Sequence, residues 1–142
     1  MIRQISIFVA NKSGRLAQVT KMLGENGVNI LALSIADTVD YGILRLIVTD
    51  PDLAESVLEK SELTYNVTPV LGICVDHVPG GLSKALGILA DAGHSVGYMY
   101  AFVGKAKDSA MVIIKAEDND AAAKCLTDAG VKLLTPADVE NM

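Results

Sequence analysis

Cysteine is scarce in this chain: Cys74 and Cys125 are the only two in 142 residues, and they show no framework spacing. That excludes a disulfide scaffold, and a reduced, cytoplasmic setting is expected. Basic residues are in the minority, 12 Lys and Arg against 17 Asp and Glu, giving a net charge of −5. Direct nucleic-acid binding needs a basic surface, so no such partner is expected. No run approaches the ~20 apolar residues of a membrane-spanning helix. Arg3 and Gln4 precede a short alternating segment where a secretion signal would carry its apolar core. No membrane partner is expected either. Both histidines fall in turns, and no serine or cysteine sits in a nucleophile motif. No catalytic residue is therefore assigned, and no enzyme activity is expected. Cys74, Asp76, His77 and His94 match no metal-ligand frame, and no Gly-Lys-Ser/Thr follows a glycine-rich loop. No metal and no cofactor are expected.

What the chain does contain is apolar sequence, 51% hydrophobic with 20% charged residues, which excludes a disordered protein. It also contains a repeat. The turn Asn11-Lys12-Ser13-Gly14-Arg15-Leu16 opens a helical run that ends at Gly27-Val28-Asn29-Ile30. The same arrangement returns as His77-Val78-Pro79-Gly80-Gly81-Leu82, ending at Gly93-His94-Ser95-Val96. Gly14 and Gly80, Leu16 and Leu82, and Gly27 and Gly93 share one offset, 80 − 14 = 66. A tandem duplication follows, with units at 1–69 and 70–142. Units of about 70 residues bury little core alone, so they should pack on each other or on a second chain.

In the first unit, Ile5, Ile7 and Val9 alternate with Gln4, Ser6 and Phe8, a strand. Leu16, Val19 and Leu23 form a helical stripe, with Ser13 or Asn11 placed to cap it and Gly27 to end it. Strands follow at 30–36 and 43–48, joined by a polar turn at 37–42. Asp50-Pro51 opens a second helix with the stripe Leu53, Val57 and Leu58. A strand at about 64–69 closes the unit. The second unit repeats the order at 71–75, 82–89, 96–103, 110–116, 121–129 and 131–134, and Thr135-Pro136 could begin a last short helix. Each half reads β-α-β-β-α-β, so the fold class is α+β, ferredoxin-like, in two tandem repeats.

By the offset, Val96, Tyr98, Tyr100 and Phe102 occupy the face that Ile30, Ala32, Ser34 and Ala36 hold in the first unit, pointing away from the unit's own helices. Three of the six aromatic residues lie here. Such a face should not be left in water, so the other unit or a second subunit must cover it.

The Asn11-x-x-Gly14-x-Leu16 turn, the Gly27-Val28-Asn29-Ile30 helix exit and the element order resemble the ACT domain family, small regulatory modules that bind amino acids. His77-x-x-Gly80-x-Leu82 and Gly93-His94-Ser95-Val96 repeat the pattern, and together the two matches cover nearly the whole chain. The first repeat is also similar to the regulatory subunit of acetolactate synthase and the regulatory tail of aspartate kinase. The resemblance implies a ligand site at an interface between modules, built from the turn after the first strand and the start of the second. In this sequence those positions are Asn11, Ser13, Gly14, Arg15, Leu16, Asn29 and Ile30, and then His77, Pro79, Gly80, Gly81, Leu82, Ser95 and Val96. His77 departs from the Asp or Asn found at that position in many members, and Ser95 stands where the first repeat has Asn29. One repeat could thus bind while the other supports.

The chemistry suits a free amino acid. The first amides of a helix lack intrahelical partners and favour a carboxylate. Gly14, and again Gly80 and Gly81, would let a ligand approach the backbone closely. Asn11 and Asn29 could accept from an ammonium. Pro79 has no amide to offer but pre-sets a helix start. Each position also has a plainer use: a tight turn for the glycines, a cap for Asn11, a structural hydrogen bond for Asn29, a solvated turn for His77. The expected function is a regulatory protein that senses a free amino acid, works as a homodimer, and modulates an enzyme of amino-acid metabolism or its own assembly. The alternative is a structural interaction subunit with no ligand. A transcription-linked regulator would need a partner for DNA contact. Gly14→Val is expected to abolish binding and leave the fold largely intact.

Overall fold

The alternating start of the chain forms β1 (Ile2–Ala10), with Ile5, Ile7 and Val9 buried beneath helices. The computed structural model describes residues 1–37, 40–104 and 108–142. After β1 come α1 (Arg15–Glu25), β2 (Ile30–Asp37), β3 (Tyr41–Val48), α2 (Pro51–Glu59) and β4 (Thr64–Asp76). Then follow α3 (Gly81–Asp91), β5 (Val96–Ala101), β6 (Ser109–Ala116), α4 (Asn119–Asp128), β7 (Lys132–Leu133) and α5 (Pro136–Glu140). The β-α-β-β-α-β order occurs twice, and β4 serves both copies. It pairs with β1 from Thr64 through Val70 and with β6 from Leu71 to Asp76. Residues 38 and 39 of the expected turn at 37–42 lie outside the described residues.

Local chemistry sets the helix ends. Asp50 accepts from the Leu53 amide at 3.0 Å, with Pro51 in the first turn. Thr135 and Asp138 cap each other's amides in a reciprocal box that starts α5. Gly27 stands just past α1 in the left-handed conformation, φ 80°, as a chain-reversing helix exit requires.

Strand order is β2-β3-β1-β4-β6-β5, with β7 beside β4. A bridge between Ala32 and Phe102 brings the two outer strands together, and the Val103 amide donates to the Leu31 carbonyl at 2.8 Å. The sheet is thereby folded over so that its two helix-free faces meet. One core lies between each half-sheet and its own helices. A third fills the seam, where Ile2, Ala32, Ile47, Val70 and Ile113 are buried. Gly72 sits in this seam, where a Cβ would come within 2.5 Å of Ile2 Cδ1, so no side chain fits there.

The aromatic face is covered as expected, and by the other half of the same chain. Tyr100 and Phe102 pack into the seam. Tyr98 meets Arg45, whose guanidinium carbon lies 3.7 Å from the ring centroid. Val96 differs from expectation. The register of β5 shifts between Val96 and Tyr98, which turns Val96 onto the helix side. The same irregularity between Ile30 and Ala32 turns Ile30 inward and sends Leu31 to the seam. Leu33 and Ile35 pair with Leu46 and Leu44, which places them on the helix side, yet they are 43% and 50% exposed. They lie on an outer strand that the helices do not reach.

Candidate functional site

Two short turns carry the residues singled out by the repeat. In the first, the Lys12 amide donates to the Ala10 carbonyl at 2.8 Å and the Arg15 amide to Lys12 at 3.2 Å. Gly14 is the cap of α1, left-handed at φ 83°, and no side chain caps the helix. Ser13 and Asn11, expected as caps, do not act as such. Gly14 itself makes the turn, which leaves both side chains exposed and in no hydrogen bond with the described residues. After Arg15, the next amide of α1 to find an acceptor is that of Gln18, which donates to the Gly14 carbonyl at 3.0 Å. The amides of Leu16 and Ala17 thus find no acceptor among the described residues.

The second turn matches it closely. Gly80 caps α3 at φ 84°, the Gly81 amide bonds to Val78 at 3.0 Å, and the Lys84 amide to Gly80 at 3.0 Å. Leu82 and Ser83 are left with the same unanswered amides among the described residues. Pro79 is exposed, as is His77, whose backbone amide donates to the Asp108 carbonyl at 3.3 Å. Asn29 and Ser95 occupy equivalent places: their carbonyls accept from Thr49 (3.1 Å) and Glu117 (3.2 Å), and both side chains are exposed.

Within one chain neither turn meets the start of the following strand, because the two strands of each unit run parallel and the helix between them carries Asn29 and Ser95 to the opposite end; nor do the two turns meet each other. The first follows β1 at the end where Phe8 pairs with Thr64, and the second follows Asp76 at the far end of β4. Neither lies inside the packed seam. His77 reaches the rim of that seam, where it lines a groove of about 350 Å³ with Phe102, Gly104 and Met111.

Glycine is favoured at 14 and 80 by backbone conformation. A Cβ at either position would meet nothing within 4 Å, but the positive φ disfavours every L side chain. The expectation that Gly14→Val leaves the fold largely intact is thereby qualified: the substitution meets no clash but carries backbone strain.

Of the stripe Leu16, Val19 and Leu23, the last two are buried and Leu16 is 41% exposed. Because β1 and β2 both pair antiparallel with β3, they run parallel, so α1 begins at the end where β2 finishes. Leu16 therefore stands at the same end as Ile35 on the free edge of β2. This apolar strip was not assigned from the sequence. The signal available for it was the ferredoxin-like order, which puts β2 at an edge. Arg15 Nη1 reaches toward Gln18 Oε1 at 3.4 Å along the same helix. Among the described residues, no helix is long and apolar enough to cross a membrane, and no group of three His, Cys, Asp or Glu is placed to hold a metal.

Comparison with known proteins gives a consistent picture. A family profile described as an ACT domain pair matches residues 1–142. A solved protein from Bacteroides thetaiotaomicron is 40% identical, with a TM-score of 0.91 over 99% of this chain and 96% of that one. The ligand-free regulatory subunit of aspartate kinase from Thermus thermophilus is 20% identical, with a TM-score of 0.64 over 90% and 92% of the two chains. Its counterpart from Thermus flavus is 19% identical, at 0.56 over 89% and 91%. At such identities the two Thermus proteins speak to the fold alone. A search of curated proteins gives no match.

Proposed function

We propose that this chain, which belongs to the ACT domain family as a pair of modules, is a regulatory protein that senses a free amino acid. The observation that carries this reading is the pair of exposed, left-handed glycine turns, each presenting two helix amides that nothing among the described residues caps. Such amides suit the carboxylate of an amino acid. In the first unit Asn11 and Ser13 are exposed in the turn itself, with Arg15 and Leu16 in the first turn of α1, while Asn29 and Ile30, at the other end of that helix, would join a site only from another copy. In the second, His77, Pro79, Gly80, Gly81, Leu82, Ser95 and Val96 hold the matching places.

The turns lie apart within one chain, so the interface that completes a site is one between copies. The exposed apolar residues Leu16, Leu33 and Ile35, beyond the point where β2 bridges to Phe102, support a homodimer formed there. We place the protein in the cytoplasm, with no nucleic acid or membrane as direct partner. Ligand binding would bias either its own assembly or an enzyme of amino-acid metabolism, to the extent that the ligand prefers one state.

Thermal-shift and calorimetric screening of the twenty amino acids tests the reading, because a ligand bound only by the folded state raises Tm. Gly14→Asn is the informative variant. Asn tolerates the left-handed conformation, the space around Gly14 is open, and its side chain would stand over the free amides. It should fold normally and weaken binding at the first turn. Gly14→Val should also lose about 1–3 kcal/mol of stability through strain. Silence across the whole panel would favour the structural-subunit alternative.

A further inference from the structure

The two units end differently. The last strand of the first unit runs on without a break as β4, past Val70 and into the second unit. The last strand of the second, β7, stops after Leu133, and the chain turns into α5. The Leu134 amide donates to the Gly72 carbonyl at 2.7 Å, the last hydrogen bond the chain makes to the sheet among the described residues. Beyond it every such bond is internal. The Val139 amide donates to the Thr135 carbonyl, the Asn141 amide to Ala137 and the Met142 amide to Val139. The Asn141 side chain also donates to the Ala137 carbonyl, and Thr135 and Asp138 cap each other. No ion pair ties residues 135–142 to the rest of the described chain.

One side chain holds α5 down. Val139 is its single buried residue, and it joins the seam core beside Ile2, Val70 and Leu134. Ile2 and Val70 pair with each other in the first unit's half-sheet. So α5, the last element of the second unit, closes the seam by packing across it onto β1. The fit is loose. A cavity of about 220 Å³ lies between them, with Ile2, Val48 and Pro51 on one side and Pro136, Val139 and Glu140 on the other. A helix of five residues is far shorter than the ~12–15 at which an isolated helix holds in water. The helical bonds of α5 therefore depend on Val139 staying seated, and anchor and bonds are lost together. Losing them breaks no bond of the sheet.

We propose that α5 is a strap: residues 135–142 lift off as one unit, hinged at Leu134, while both half-sheets stay folded, and in doing so gate the end of the seam. Segments with few apolar contacts and self-contained hydrogen bonds open at far lower cost than a core does. Lifting bares the Ile2 and Val70 end of the seam and the floor of the cavity, an apolar surface that the closed strap keeps from water. The device is separate from the glycine turns and does not require an amino acid to be bound.

Hydrogen exchange read amide by amide on the full chain tests this. The Val139 and Asn141 amides should exchange at least about a hundredfold faster than those of Ile113 and Ile114 in β6. Low urea should leave the strap rate nearly unchanged, whereas the β6 amides follow the full slope of global unfolding. Val139→Ala removes two buried methyl groups and should speed strap exchange about tenfold, with the same flat urea dependence. Val139→Asp should leave residues 135–142 unprotected while β6 stays protected. Adding Asp138→Asn to it should not lower Tm further, because the capping box is already undone. Strap amides that exchange with the rate and urea slope of β6 would overturn the proposal. So would loss of β6 protection in Val139→Asp, or strap amides without any protection in the parent chain, since no closed strap would then exist.

Discussion

Replacing Gln4 by Met tests what fixes the two halves of the molecule against each other. Gln4 is 0% exposed, on the helix-free face of β1. Its Nε2 donates to Tyr98 Oη at 2.8 Å and to Ser6 Oγ at 3.1 Å, and its Oε1 accepts from the Tyr100 hydroxyl at 2.7 Å. Three bonds thus meet at one side chain, and two of them cross the seam. Met keeps the length of Gln but offers no donor and only a weak acceptor. Ser6 is buried and both tyrosines are half-buried, so three hydroxyls would lose a partner. A stranded buried group costs about 1–3 kcal/mol. Partial solvent access for the tyrosines favours the lower end, and a total of about 2–4 kcal/mol is expected on that scale. At roughly 3 °C per kcal/mol for a chain of this size, Tm should fall by about 6–12 °C. Urea denaturation should show a lower midpoint at unchanged slope. A double-mutant cycle with Tyr100→Phe sharpens the test. Alone, Tyr100→Phe should cost about 1–3 kcal/mol by orphaning Oε1. In the Gln4→Met background it removes an already stranded hydroxyl, so a coupling of at least ~1 kcal/mol is expected. Additive effects, or a Gln4→Met variant within ~0.5 kcal/mol of the parent, would refute the idea that this cluster ties the halves together.

Two predictions concern pH. The Asp138 carboxyl is held below its ordinary value by hydrogen bonds from Thr135, so its contribution is present above the unfolded value near 4 and is lost as pH falls through the folded one. Asp138→Asn should therefore be less stable than the parent near neutrality, and the difference should shrink in acid denaturation as pH falls through the folded value. Tyr65 is pushed up to about 12 by its hydrogen bond to Glu59, and burial raises Tyr100. The stabilisation tied to these hydroxyls is complete below the unfolded value near 10 and is lost as pH rises through the folded values. Absorbance titration of tyrosinate should show late-ionising components, the Tyr65 part moving earlier in Glu59→Gln.

The duplication, the element order and most of the core could be read from periodicity and glycine spacing, because strands and helices print their burial on every second or every third and fourth residue. The expected buried stripe of β1 is buried, and the aromatic face of β5 is covered. What escaped reading depended on partners far away in sequence. Gln4 and Arg45 look like residues of a solvated face. They are enclosed only because a second sheet, more than fifty residues on, folds over them. Register shifts after Ile30 and Val96 reverse the face of single residues, and an alternating pattern carries no mark of them. For the turns, their glycines were legible, but the cause of the glycine was not. Backbone conformation favours it at 14 and 80 before any ligand does.

This has a consequence for how such a molecule can respond to a ligand. A regulator made of two modules is often imagined to work by swinging one against the other, yet here β4 passes through both without a break. The seam is filled with apolar side chains and pinned by the bonds at Gln4. Packed interfaces of that kind shift between discrete arrangements or not at all. The parts left free to respond lie at the margins: the outer edge of β2 with Leu33 and Ile35, the two uncapped helix starts, and the stretch of β4 that β7 fails to cover. A ligand at any of them changes what the edge presents to another chain more readily than it changes the chain's own interior. On the function proposed above, a ligand would therefore act more naturally on assembly, with the duplicated core as a rigid frame between the two turns.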